Sequence, residues 1–230
     1  MKLTHSPLRF LPAGLLTAAA VAFTILITKV DVQSVGPEGS SVGFATLNAQ
    51  VHTAFGFNQT FFSLSELLGV LPFLTIAFFL LVALVELLRR RSLKKLPREL
   101  FLLFGFYAVV LALYLLFEKL ALNFRPVILD GEGLEASYPS SHTLFALTLC
   151  GSALLVLPRL FDKTHPGLVK LARAALALLA LAVVFTRLFS GVHWLTDIFG
   201  GLLISAALLA WLSAFLPPAK QPAASSSRDN

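Results

Sequence analysis

The 230-residue chain is 57% hydrophobic and 13% charged, with a mean hydropathy of +0.84, whereas charged residues make up about 25% of an ordinary soluble domain. That composition excludes a soluble globular domain and indicates an integral membrane protein. The net charge of +6 does not point to nucleic acid, because the basic residues cluster at the ends of apolar runs. One cysteine, Cys150, excludes an internal disulfide and a multi-cysteine metal cage.

Residues 1–9 carry Lys2 and Arg9, and residues 10–28 form an apolar run long enough to cross a bilayer. The run exceeds the apolar core of a signal peptide, so a retained first helix is expected. The stretch 30–66 is mixed, with a loop at Gly36-Pro37-Glu38-Gly39. Its second half has Leu47, Val51 and Phe55 at helical spacing, followed by Phe57, Phe61 and Phe62. That pattern predicts a helix lying in the membrane interface, with His52 on it.

Residues 67–88 are the second predicted span, closed by the basic cluster from Arg89 to Arg98, and residues 100–117 are the third. A polar connection over 119–142 follows, in which Asp130, Glu132 and Glu135 read as a solvated loop. The fourth span covers 144–160, or begins at His142 itself; the fifth covers 168–185 and the sixth 198–216. Residues 217–230, rich in proline, alanine and serine, read as a disordered tail. The fold expected is an all-α membrane protein: one domain over 1–216, six transmembrane helices, and a site at the outer ends of the last four.

Orientation follows from the lysines and arginines. With a cytoplasmic amino terminus, fourteen of the eighteen lie inside, and only Lys29, Lys119, Arg125 and Arg187 lie outside. Both termini are then cytoplasmic, and three outer cations flank the two fragments richest in polar chemistry. Holding an anion on the outer face is the simplest reason for cations placed against the topology rule.

Those fragments are Tyr138-Pro139-Ser140-Ser141-His142-Thr143 and the segment from Thr186 to Asp197, which contains Arg187, His193 and Asp197. If residues from Trp194 onward are helical, His193 and Asp197 stand at i and i+4, so that the carboxylate can hold one imidazole nitrogen and leave the other free to attack. An aspartate at a helix start also favours the helix dipole. Lys119, Arg125 and Arg187 would surround a tetrahedral anion, with arginine forks matching phosphate oxygens in pairs. Ser140 and Ser141, at the start of the fourth helix, would add backbone N–H groups. His193 would attack phosphorus, and His142 would protonate the departing oxygen and then activate water. This chemistry calls for no metal and no other cofactor.

The fragments resemble the three signature motifs of the type 2 phosphatidic acid phosphatase family, which includes undecaprenyl-diphosphate phosphatases and vanadium haloperoxidases. The third motif, Ser-Arg, five residues, His, three residues, Asp, is matched by Arg187, His193 and Asp197, with Thr186 in place of serine. The second, Pro-Ser-Gly-His, reads Pro139-Ser140-Ser141-His142. In the first, six residues usually separate a lysine from Arg-Pro, whereas only five separate Lys119 from Arg125-Pro126, which swings the side chain by about 100° on a helix.

The resemblance implies hydrolysis of a membrane lipid phosphate or diphosphate: phosphatidic acid, phosphatidylglycerol phosphate or undecaprenyl diphosphate, the last favoured. It implies catalytic roles for His193, His142 and Asp197 and phosphate binding by Lys119, Arg125, Ser140, Ser141 and Arg187, with the bilayer and its lipid as partners and no nucleic acid. A lipid phosphotransferase using the same site, or a non-catalytic binder or transporter of anionic lipids, is the alternative.

Overall fold

In hydrocarbon every backbone N–H and C=O must find its partner within the protein, so long apolar runs fold as helices. The computed structural model describes residues 7–129, 131, 133–161 and 163–217. The expectations for residues 1–6, Asp130, Glu132 and residues 218–230 lie outside the described residues.

Eight α-helices appear among the described residues: α1 (Leu11–Ile27), α2 (Ala45–Phe55), α3 (Gln59–Val70), α4 (Leu74–Arg90), α5 (Arg98–Leu120), α6 (Ser141–Phe161), α7 (Pro166–Ser190) and α8 (Leu195–Phe215). A single 3-10 turn, Leu71–Phe73, joins α3 to α4 around Pro72. Proline suits the first turn of the following helical segment, where its missing N–H leaves no bond unmade. Counting α3 and α4 as one run, six helical segments are long and apolar enough to span a membrane. The chain is therefore an all-helical, multi-pass membrane protein.

Helix ends follow local chemistry. Asn58 caps α3, its side chain accepting from the Phe61 amide at 3.1 Å. Gly191 ends α7 in the left-handed region (φ +69), and a Cβ there would come within 1.9 Å of the Gly56 carbonyl oxygen. Glycine is thus required twice over, for its backbone angle and for the close approach of the α2–α3 turn. The neighbouring Asn58 amide donates to the Ser190 carbonyl at 3.0 Å, which locks that turn onto the end of α7.

α6 lies innermost, packed on α5, α7 and α8, while α1 packs along α8 and α3 along α7. Away from the polar fragments, Leu100, Leu103, Phe106 and Val110 of α5 meet Ala153, Val156 and Leu157 of α6 and Leu212 of α8 in a buried apolar cluster. The antiparallel order brings together the end of α5, the start of α6, the end of α7 and the start of α8. The cluster from Arg89 to Arg98, with Arg159, Lys163, Lys170 and Arg173, lies at the end of α4 and at the opposite ends of α5, α6 and α7.

Two sequence expectations are revised. The interfacial pattern stops at Phe55: Gly56 breaks it, and Phe61 and Phe62 belong to α3, so the second apolar segment starts at Gln59 rather than residue 67. The sixth helix starts at Leu195, which leaves His193 two residues ahead of it. Trp194 is 3% exposed and donates its indole N–H to the Phe124 carbonyl at 2.8 Å.

Candidate active site

The site begins where α8 does. The Asp197 side chain is fully buried, and both its oxygens accept: Oδ2 from the Trp194 amide at 3.0 Å and Oδ1 from Asn123 Nδ2 at 3.2 Å. The first bond ties down one of the amides that a helix start leaves unpaired. His193 Nδ1 stands 3.7 Å from Asp197 Oδ2, an ion-pair distance but longer than a hydrogen bond. The carboxylate thus faces the imidazole while capping its own helix, and catalytic hydrogen bonds are often longer before substrate binds.

His193 lies in the short connection between α7 and α8, with its side chain 2% exposed. Burial pushes its pKa well below the ordinary 6.5, and the charges of Arg187, Arg125 and His142 push the same way. The imidazole is therefore neutral at neutral pH, and its Nε2 is buried without a hydrogen-bond partner among the described residues.

Arg187, on the last turn of α7, is fully buried. Its Nη1 donates to Ser65 Oγ at 2.9 Å and to Glu66 Oε1 at 2.6 Å, both on α3. Its Nε and Nη2 have no partner among the described residues. These two nitrogens form one edge of the guanidinium, the edge that grips two oxygens of one phosphate. The guanidinium also lies over the Phe62 ring, 5.7 Å from its centre.

His142 is the second residue of α6, so the fourth span starts at Ser141, ahead of residue 144. Its Nε2 is 3.5 Å from Glu66 Oε2. Ser140 precedes the helix, and its Oγ accepts from the Thr143 amide at 3.4 Å. The Ser140 amide donates to the Asp197 carbonyl at 3.1 Å, which joins the two motif fragments and takes that N–H from any ligand. Ser141, partly exposed, and His142 keep the first amides of α6, which have no partner inside the helix.

Arg125 pairs with Glu135 Oε2 at 2.7 Å, and its amide donates to the Glu135 carbonyl at 3.0 Å. Glu135 is therefore a partner of an expected phosphate ligand rather than a member of a solvated loop. Lys119 is exposed on the last turn of α5 and pairs with none of these residues. The fold thus gathers Arg187, His142, His193 and Asp197 around the starts of α6 and α8, with Ser140 and Arg125 beside them.

Sequence reasoning missed Glu66, Ser65, Asn123 and Asn48. Asn48 of α2 is fully buried; its Nδ2 donates to Gly43 O and Thr196 Oγ1, each at 2.8 Å, and its Oδ1 accepts from the Thr196 amide at 3.2 Å. Asn123 accepts at Oδ1 from the Gly43 amide at 3.4 Å. Two buried amides thus hold the start of α8 from both sides. Asn123 stands two residues before Arg125, which was a local signal; for Glu66 the only hint was a carboxylate at the edge of an aromatic, apolar run.

Fold and site together define a class: multi-pass helical membrane proteins with a buried arginine and two histidines at one end of the bundle. The family model of the PAP2 superfamily matches residues 120–220, the stretch holding all of the gathered motif residues. Over that stretch the chain is similar to this superfamily, that of the type 2 phosphatidic acid phosphatases. Its fold is similar to that of a solved transmembrane PAP2 type phosphatidylglycerolphosphate phosphatase from Bacillus subtilis, with a TM-score of 0.60 and 17% identity over 89% of this chain and 95% of that one. No curated protein matches the sequence.

Proposed function

We propose that the protein is a membrane lipid phosphatase that works at its outer face through a phosphohistidine on His193. The observation that carries this reading is the guanidinium of Arg187, buried with Nε and Nη2 unpartnered, beside the start of α6 and two histidines. A phosphate monoester or diphosphate supplies the oxygens that satisfy those donors, and burial strengthens the grip.

The neutral Nε2 of His193 attacks phosphorus as the bond from phosphorus to the lipid oxygen breaks, and the departing oxygen takes a proton from His142. Water then attacks the phosphorus held on nitrogen, giving a proton to His142. The N–P bond breaks, phosphate leaves, and the imidazole recovers its lone pair. Asp197 offsets the positive charge that His193 acquires, and Arg187 with Arg125 offsets the negative charge growing on the transferred oxygens. Phosphatidylglycerol phosphate, phosphatidic acid and undecaprenyl diphosphate are the substrates to compare. The topology that suits them has both termini cytoplasmic, since the basic clusters lie opposite the site.

The test is phosphate release by the full chain in detergent from each of the three lipids in excess EDTA, with His193→Ala as control. Release that resists the chelator and vanishes in the variant is expected, together with an acid-labile, base-stable protein phosphate when labelled substrate is quenched early. Undiminished release by His193→Ala would sink the reading.

A further inference from the structure

We infer that Glu66 is a positioning residue of this site, one carboxylate that aligns both the phosphate-gripping arginine and the leaving-group histidine. The inference rests on the proposed function and adds to it an element outside all three motifs. Glu66 stands on α3, which packs against both α6 and α7, the helices that carry His142 and Arg187. Its Oε1 accepts from Arg187 Nη1 at 2.6 Å, and its Oε2 lies 3.5 Å from His142 Nε2. No other side chain among the described residues joins the two.

The geometry separates this role from simple neutralisation. Glu66 and Ser65 occupy only Nη1 of Arg187. Both unpartnered nitrogens, Nε and Nη2, lie on the edge of the guanidinium that a phosphate would take, so Glu66 fixes the plane of the fork without filling it. The same face of α3 is shaped for His142. Gly69, one turn beyond Ser65, lies under the imidazole, and a Cβ there would come within 2.3 Å of His142 Cδ2 and 2.8 Å of Nε2. Ser65, Glu66 and Gly69 therefore form one seat: a hydroxyl and a carboxylate oxygen for the arginine, the other oxygen and a gap for the imidazole.

A carboxylate this close to a phosphate site repels the substrate, and that fixes the direction of the test. If Glu66 were only a counter-ion, removing its charge would favour the anion: KM would fall, orthovanadate would bind more tightly, and kcat would hold. A positioning residue gives the opposite sign in kcat. Glu66→Gln keeps the size and an acceptor for Nη1 but loses the second carboxylate oxygen toward His142, so kcat is expected to fall about 10²-fold with KM changed by less than about threefold. Glu66→Ala releases both partners and is expected to lower kcat further and raise KM. Glu66→Asp, one methylene short of bridging both, should restore activity only in part.

The experiment is steady-state phosphate release by the full chain in detergent for wild type and the three variants, with the rise in melting temperature on adding orthovanadate measured for each. The expected shift is large in wild type, retained in Glu66→Gln and mostly lost in Glu66→Ala. Turnover by Glu66→Gln within threefold of wild type, or a larger vanadate shift in Glu66→Ala than in wild type, would overturn the inference. If Glu66→Ala does not fold, the isosteric Glu66→Gln decides through kcat. If wild type releases phosphate from none of the lipids, the functional reading falls, and the vanadate shifts still decide whether Glu66 aligns Arg187.

Discussion

The two histidines of the site sit in unlike seats. The His193 side chain is 2% exposed beside an Asp197 with no exposure at all, whose oxygens are held by Trp194 and Asn123. The His142 side chain is 21% exposed beside a Glu66 that is 47% exposed and shared with Arg187. A sealed seat keeps an imidazole neutral and rigid, which suits a nucleophile. A seat open to water suits a group that must receive and return protons within each turnover.

The largest expected effect sharpens that contrast. If His193 is the nucleophile, as proposed, His193→Ala should lower kcat by at least about 10⁴-fold, because it removes the group that attacks phosphorus. His142→Ala should cost less, about 10²- to 10⁴-fold, with the nucleophile intact. Single-turnover rates for the two variants check this, and a reversed order would break the assignment of roles.

Asp197→Asn comes next. The amide has one acceptor oxygen where two donors, Trp194 N–H and Asn123 Nδ2, now meet a carboxylate, so one donor faces an NH₂ group. The loss of charge beside His193 should lower kcat by about 10³-fold or more, and the mismatch should cost about 1–3 kcal/mol of stability. Turnover and thermal melting separate the two effects.

The sealed seat also sets a pH dependence. Because the His193 pKa is lowered in the folded chain, its lone pair stays available below the ordinary 6.5. The acid limb of kcat/KM is therefore expected well below pH 6.5, and a limb at or above that value would show that His193 is not held neutral. Stability carries the same sign. Below 6.5 the unfolded chain takes up a proton that the folded chain refuses, so this contribution is complete at higher pH and is lost as pH falls toward the lowered pKa. Melting temperature against pH checks it.

The smallest effect lies just behind the site. The Tyr138 hydroxyl meets Thr24 Oγ1 of α1 at 2.8 Å, and burial pushes its pKa up to about 12, so it stays protonated. Tyr138→Phe keeps the ring that lies against Gly200 and loses one hydrogen bond, about 1 kcal/mol. A fall in melting temperature of about 2–4 °C with little change in turnover is expected.

Much of the fold was legible in the sequence, because a span needs only about twenty apolar residues and each of the six announces itself. The errors fell where punctuation was subtle. A 3-10 turn around Pro72 lets α3 and α4 run on as one segment, so polar Gln59 and Glu66 belong to a helix that an apolar count begins later. Within the site, Arg187, His193 and Asp197 were legible as neighbours because eleven residues hold them all. The seat of His142 was not, since its carboxylate comes from a helix 76 residues earlier in the chain.

By itself the sequence determined the number of spans and the two polar fragments at one end. Hydrophobic length, charge asymmetry and short spacings are local quantities, written in consecutive residues. Only the tertiary structure decided that Glu66 reaches Arg187 and His142, that Asn123 and Asn48 brace the start of α8, and that Gly56 and Gly191 touch. These contacts depend on which helix faces meet and how closely. Small residues and side-chain complementarity set that packing, and no single stretch of a single chain records it.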